Sequence, residues 1–112
     1  MWSLKSECIL VFTEGLGLLP WMVCGNGPIG EKTVIKMKEF RIVLWPHHGI
    51  LACGQTVDQA LGLIETAEKS AQVYVVTEGK RNQVVTDEQI MELAKAFNLN
   101  PREGIINSYS LN

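Results

Sequence analysis

A long amphipathic stretch, residues 56 to 78, sets the terms on which the rest of this sequence has to fold. Thr56-Val57-Asp58-Gln59 has the form of a capping box, in which a Thr hydroxyl and a Gln amide each satisfy a backbone N–H orphaned at a helix start. Beyond it, apolar residues recur at Ala60, Leu61, Ile64, Ala67, Ala71, Tyr74 and Val75, the i, i+3, i+4, i+7 spacing of one buried helical stripe. Asp58, Glu65, Glu68, Lys69 and Gln72 fall off that stripe. Asp58 also meets the positive end of the helix dipole, and Gly79 supplies a residue free to turn left-handed and end the helix. At ~1.5 Å per residue, the helix is on the order of 30 Å long, the diameter of a small domain. A stripe of that length needs other elements laid against it.

Residues 41–45 are β-branched and aromatic, and residues 49–54 form a second apolar run closed by Gly; both read as strands buried on both faces. Pro46 has no N–H for a ladder, so the pairing is expected to break between them, leaving His47 and His48 at a strand junction. Earlier in the chain, residues 8–12 read as a buried strand, 13–17 as a turn, and 18–23 as an edge strand or extended loop around Pro20. Gly25-Asn26-Gly27-Pro28 is turn chemistry with Pro at a first helical position, and Val34, Met37 and Phe40 give a helix reaching about Glu39 one buried side. Residues 80–82 read as a polar turn and 83–85 as a short strand. Thr86-Asp87-Glu88-Gln89 is a second capping box, opening a helix with Ile90, Leu93, Ala94 and Phe97 on its buried face that ends at residues 98–101. The tail from Arg102 is expected to pack loosely or against another subunit. Strands flanked by three helices make the expected fold class α/β, one layered unit.

The charge balance excludes some partners. With a net charge of −2 and no cluster of Lys and Arg, the sequence has no electrostatic footprint for nucleic acid or an anionic membrane. Its first apolar stretch is too short for a signal core or a membrane span. Three widely spaced cysteines, Cys8, Cys24 and Cys53, contain no C-x-x-C pair; they read as reduced thiols of a cytoplasmic protein, packed as small hydrophobes.

Trp45-Pro46-x-His48-Gly49, then Thr56-x-Asp58, then the run from Gly62 through Thr66-Ala67-Glu68-Lys69-Ser70-Ala71-Gln72, together resemble the carboxy-terminal half of class II (zinc) aldolases of the aldolase/adducin family. The resemblance reaches back through Leu19-Pro20-Trp21-Met22-Val23 to Glu7-Cys8 and Trp2, and forward through the last helix. The His-Gly segment with its helix matches the family broadly; the Trp-Pro, the Thr-Ala-Glu-Lys-Ser-Ala-Gln run and the Leu-Pro-Trp-Met-Val segment point to its rhamnulose-phosphate branch. The resemblance implies a partial, layered helix and antiparallel-sheet domain over residues 1–112, with the family's amino-terminal half lacking. It implies reversible cleavage of L-rhamnulose 1-phosphate to dihydroxyacetone phosphate and L-lactaldehyde, a sugar-phosphate substrate, Zn2+ as cofactor, and a homotetramer.

By the same resemblance His48 is the third zinc ligand, the other two being a His-x-His pair that this sequence does not contain. Spacing alone reads His48 as a hydrogen-bonded polar residue at a strand end, since one His does not make a metal site. His47 reads as a neighbour or packing residue, because successive residues of an extended strand face opposite ways. Glu7 is the candidate catalytic carboxylate: in the branch resembled, a Glu before Cys reaches a neighbouring subunit's site and assists proton transfer, work that needs a carboxylate within hydrogen-bond reach of the reacting oxygen. On residues alone, a solvated Glu before a strand is an equal reading. The principal catalytic Glu and the phosphate-binding residues are also lacking, so the chain alone is expected to be inactive.

Two alternatives stand beside the aldolase. One is a non-catalytic interaction module of the adducin kind. The other is dinucleotide binding through Gly25-Asn26-Gly27-Pro28-Ile29-Gly30, a G-x-G-x-x-G before a helix. The next strand ends in Trp-Pro-His-His with no acidic residue for a ribose hydroxyl, and Pro20 interrupts the strand that should precede the glycines. These glycines therefore read as a turn and a helix start.

Overall fold

The computed structural model describes residues 12–80 and 83–100. Its elements, in chain order, are β1 (Gly17–Leu18), α1 (Gly27–Lys36), β2 (Ile42–Trp45), β3 (Gly49–Ala52), α2 (Val57–Val76) and α3 (Asp87–Ala96). The chain gathers into two compact units, one of residues Glu14–Ile64, the other of Met1–Thr13 with Glu65–Asn112. Each is taken by itself below.

In the first unit the three strands lie in the order β1-β2-β3. β2 and β3 are antiparallel, pairing Ile42 with Ala52 and Trp45 with Gly49, and Cys53 N–H donates to the Arg41 carbonyl at 2.8 Å to extend the ladder. β1 runs parallel to β2, with Gly17 opposite Val43. The sheet is therefore mixed, where an antiparallel one was expected. Between parallel neighbours the chain must cross over, and α1 makes that crossing. The Asn26 side chain accepts from Ile29 N–H at 3.3 Å as N-cap, with Pro28 in the first turn. Gly25 just before it has φ +82, a conformation that a Cβ would strain. The glycines do form a turn and a helix start.

α1 buries Ile29 and Thr33, and Ile29 joins Leu19 and Val43 in a core against which Met22, Cys24, Met37, Phe40 and Trp45 pack. Met37 and Phe40 pack against this core, but from beyond the helix, which ends at Lys36 and not near Glu39, and Val34 is 62% exposed. The buried line of the helix runs through Thr33, one residue back. Of the antiparallel pair, β2 alone has fully buried positions, Ile42 and Val43; β3 is half-buried with Gly49 exposed, so the two-faced burial expected of both strands fails for β3. β2 is paired on both edges, and its Val43 packs in the core with Leu19 and with Ile29 of α1. Cys53, just past β3, is an exposed free thiol and not a core hydrophobe, while Cys24 is half-buried.

α2 begins at Val57 as the capping box predicts, with one change. Gln59 N–H donates to the Thr56 hydroxyl at 3.1 Å, but the Gln59 amide oxygen reaches past Thr56 to accept from Gln55 N–H at 2.6 Å. Gly54 makes room for this: a Cβ there would lie 2.8 Å from the Gln59 amide oxygen. The helix stops at Val76, two residues short of the expected 78, where the Thr77 hydroxyl donates to the Val73 carbonyl at 2.7 Å. Lys80 N–H then closes on the Thr77 carbonyl, and Gly79 takes φ +72 within that turn. The buried positions of α2 are Leu63, Ala67 and Ser70; Leu61, Tyr74 and Val75, expected on the stripe, are exposed.

In the second unit α3 has the full capping box: Gln89 N–H donates to the Thr86 hydroxyl and Thr86 N–H to the Gln89 side chain. Ile90 and Ala94 are buried, Leu93 half-buried and Phe97 exposed. At its end Asn98 has φ 52, and Leu99 N–H reaches back to the Ala94 carbonyl at 2.8 Å, a Schellman closure with Asn in the left-handed place. Residues 83–85 form no strand, contrary to expectation. The expected strand at 8–12 lies outside the described residues except for Phe12, which is fully buried.

Candidate active site

The segment between β2 and β3 is a hairpin loop of Pro46, His47 and His48. His48 N–H donates to the Trp45 carbonyl at 3.1 Å, making residues 45–48 a turn with Pro at its second position. Pro46 suits that place because its ring presets φ. His47, in the third, has φ 60, a left-handed conformation uncommon outside Gly but several-fold enriched for Asn, Asp and His. The two histidines are therefore not successive residues of an extended strand. The alternation argument that separates them does not apply, because the chain reverses direction at His47.

His48 is exposed at this tip, its imidazole stacked on the Trp45 indole with ring centroids 5.5 Å apart and planes 29° apart. The indole is also held at its nitrogen edge. Its Nε1–H donates to the Thr33 hydroxyl at 3.0 Å, and that hydroxyl donates to the Ile29 carbonyl at 2.7 Å. Helix α1, strand β2 and the hairpin tip are thus tied by one line of contacts. Thr33 was not legible as part of this site, since nothing in local spacing says which helix residue will face residue 45.

At the other end of the hairpin, Arg41 grips Glu14 with two parallel bonds, Nε to Oε1 at 2.6 Å and Nη2 to Oε2 at 3.0 Å. Arg41 backbone N–H adds a third contact to the same carboxylate at 3.4 Å. Burial by itself raises the Glu14 pKa, but the hydrogen bonds and charge of Arg41 outweigh it, and the carboxyl sits below its ordinary range. A carboxylate with a depressed folded pKa stabilises the fold fully above its unfolded pKa, about 4.3 for Glu, and loses that contribution as pH falls through the folded value. The expected result is a stability that declines below about pH 4.3 and declines less in Glu14→Gln, read as urea midpoints between neutral and acid pH. Equal acid sensitivity in both proteins would remove Glu14 from the explanation.

Among the described residues no group of three or more His, Cys, Asp or Glu side chains is placed to hold a metal ion. His48 is free to give one nitrogen donor, which fits a single position of a zinc site and no more. Glu7 lies outside the described residues. A cavity of about 540 Å³ beside α3, lined by Val85, Gln89, Glu92, Leu93 and Ala96, belongs to the second unit and contains neither histidine nor cysteine.

The hairpin, its turn and the first nineteen residues of α2 fall inside a match to the family described as Class II Aldolase and Adducin N-terminal domain, which covers residues 3–75, more than half of the chain. The chain belongs to the class II aldolase and adducin family. Within it, this aldolase-family chain is 47% identical over 110 residues to the rhamnulose-1-phosphate aldolase of Listeria monocytogenes serovar 1/2a, covering 96% of itself and 40% of that protein. It is 45% identical to the protein of that name from Enterococcus faecalis, over 95% of itself and 39% of the relative. For the Klebsiella pneumoniae protein the figures are 42% identity, 97% and 40%. The chain thus spans about 40% of the length of the curated relatives it matches. None of its described helices is long and apolar enough to cross a membrane.

Proposed function

We propose that this chain is part of a zinc-dependent aldolase that reversibly cleaves L-rhamnulose 1-phosphate to dihydroxyacetone phosphate and L-lactaldehyde in L-rhamnose breakdown, working in the cytoplasm as a homotetramer. One observation carries the reading: rhamnulose-1-phosphate aldolases match it over nearly its whole length, and within that match His48 stands exposed on a braced hairpin turn.

His48 would hold the metal with one ring nitrogen. When bound, zinc supplies Lewis-acid stabilisation of the negative charge that develops on substrate oxygens as the carbon–carbon bond breaks. The protein's share is to set that imidazole on a rigid element, and a hairpin tip between paired strands does so. Glu7 is proposed as the proton-transfer carboxylate, acting at a neighbouring subunit's site.

The test compares the chain alone with the chain fused behind the part of the Listeria relative that it does not cover. A zinc site needs about three or four protein ligands, so the chain alone is expected to hold no zinc through dialysis and to show no cleavage, while the fusion does both. In the fusion Glu7→Ala is expected to lower turnover and leave zinc content unchanged. A fusion that folds and tetramerises yet neither binds zinc nor cleaves the sugar phosphate would overturn the aldolase reading in favour of an interaction module.

A further inference from the structure

Thr33 is a polar residue on a line of α1 that otherwise carries core side chains; it is 5% exposed, and Ile29, one turn before it, is 3%. A buried hydroxyl is costly unless its hydrogen bonds are made. Here both are made, and their directions are determined. A hydroxyl has one proton to give, and the Ile29 carbonyl, which can only accept, takes it at 2.7 Å. The oxygen lone pairs are left for the indole Nε1–H of Trp45, which can only donate, at 3.0 Å.

The indole is thereby held at its nitrogen edge from one side, while its body packs against the core of Leu19, Ile29 and Val43. Rotation of the ring would break the bond to Thr33 and leave a donor unsatisfied. The fixed ring is the one on which the His48 imidazole stacks, 5.5 Å between centroids. Backbone geometry reinforces this, because Trp45 and His48 are the first and last residues of the turn closed by the 3.1 Å hydrogen bond from His48 N–H to the Trp45 carbonyl.

We propose that Thr33 and Trp45 are positioning residues for His48: the helix-borne hydroxyl fixes the indole, and the indole fixes the plane of the imidazole. The consequence for chemistry rests on the reading of His48 as a metal ligand. An imidazole already held in one orientation loses less rotamer freedom when it coordinates. Metal-binding histidines are commonly oriented by a hydrogen bond to the second ring nitrogen; on this hairpin a stacked ring does the same work.

The experiment is a proton–carbon NMR spectrum of the histidine rings in the metal-free 112-residue chain. It has two histidines, assigned by His47→Gln. The His48 ring protons are expected upfield of those of His47, shifted by the ring current of the indole face. Thr33→Val, which removes the hydroxyl and keeps the shape, is expected to move them toward the His47 position, and Thr33→Ser to restore the parent shift. Should Thr33→Val fail to fold by circular dichroism, Trp45→Phe, which keeps a ring but has no N–H to anchor, is expected to diminish the shift in a folded chain. His48 signals that coincide with those of His47 in the parent, or that stay in place in folded Thr33→Val or Trp45→Phe, would overturn the proposal. Neither metal nor substrate enters the measurement, so a failed zinc or cleavage assay would remove the aldolase reading and leave this result standing.

Discussion

On the proposed function, His48→Ala is expected to remove most of the zinc and nearly all cleavage activity from the fused protein. Changing a group that merely orients a metal ligand costs roughly 10–100-fold in affinity or activity, and the loss of a ligand itself should exceed that. The substitution sits at an exposed turn position, so the fold should survive it, and surface changes away from buried features stay within about 0.5 kcal/mol. Metal content by atomic absorption and initial cleavage rates would therefore fall together while the urea midpoint of the metal-free protein holds. His47→Ala is expected to be milder on both counts. Its principal consequence is relief of the left-handed φ of 60 only if the turn rearranges, since Ala is no more at ease there than His. If His47→Ala loses the zinc and His48→Ala keeps it, the ligand is the other histidine. If neither matters, the hairpin tip is not part of a metal centre.

Ile42→Ala is expected to destabilise the fold by about 2–5 kcal/mol. Ile42 is 0% exposed in the central strand, paired directly with Ala52. Removing its buried carbons loses their transfer free energy and leaves a cavity that a strand hydrogen-bonded on both edges has little freedom to close. Small domains have about 5–15 kcal/mol in all, so a lowered urea midpoint and a depleted folded baseline should both be visible. Val34→Ala is the matched control. Both are β-branched hydrophobes, and the sequence assigns both to buried faces, but Val34 is exposed on α1 and is expected to change stability by no more than about 0.5 kcal/mol. Equal losses from the two would mean that the buried line of α1 runs through Val34 and that the Thr33 contacts are wrong.

The contrast between Val34 and Thr33 marks where reading the sequence stops. Helix starts were legible because a cap is local: Thr56 and Thr86 each satisfy an N–H three residues on, and no distant partner has to be known; at α1 the sequence showed a turn and Pro28, and the structure added Asn26 as the cap. The left-handed residue near the end of α2 was legible in the same way, since Gly79 alone carries the freedom that the turn needs. The His48-Gly49 segment with the helix after it carried the family, and the match over residues 3–75 agrees.

What tertiary structure decided were the choices that depend on partners far along the chain. Periodicity permits neighbouring stripes on a ten-residue helix, and α1 turned Thr33 inward because an indole donor twelve residues later needed an acceptor there. Apolar runs do not state the direction of a neighbour, so the parallel pairing of β1 with β2 came from the crossover through α1. The contrast between His47 and His48 likewise belongs to the folded turn. Two adjacent imidazoles are chemically identical in the sequence, and they become different only when one takes φ 60 and the other comes to rest on a ring that the rest of the unit holds still.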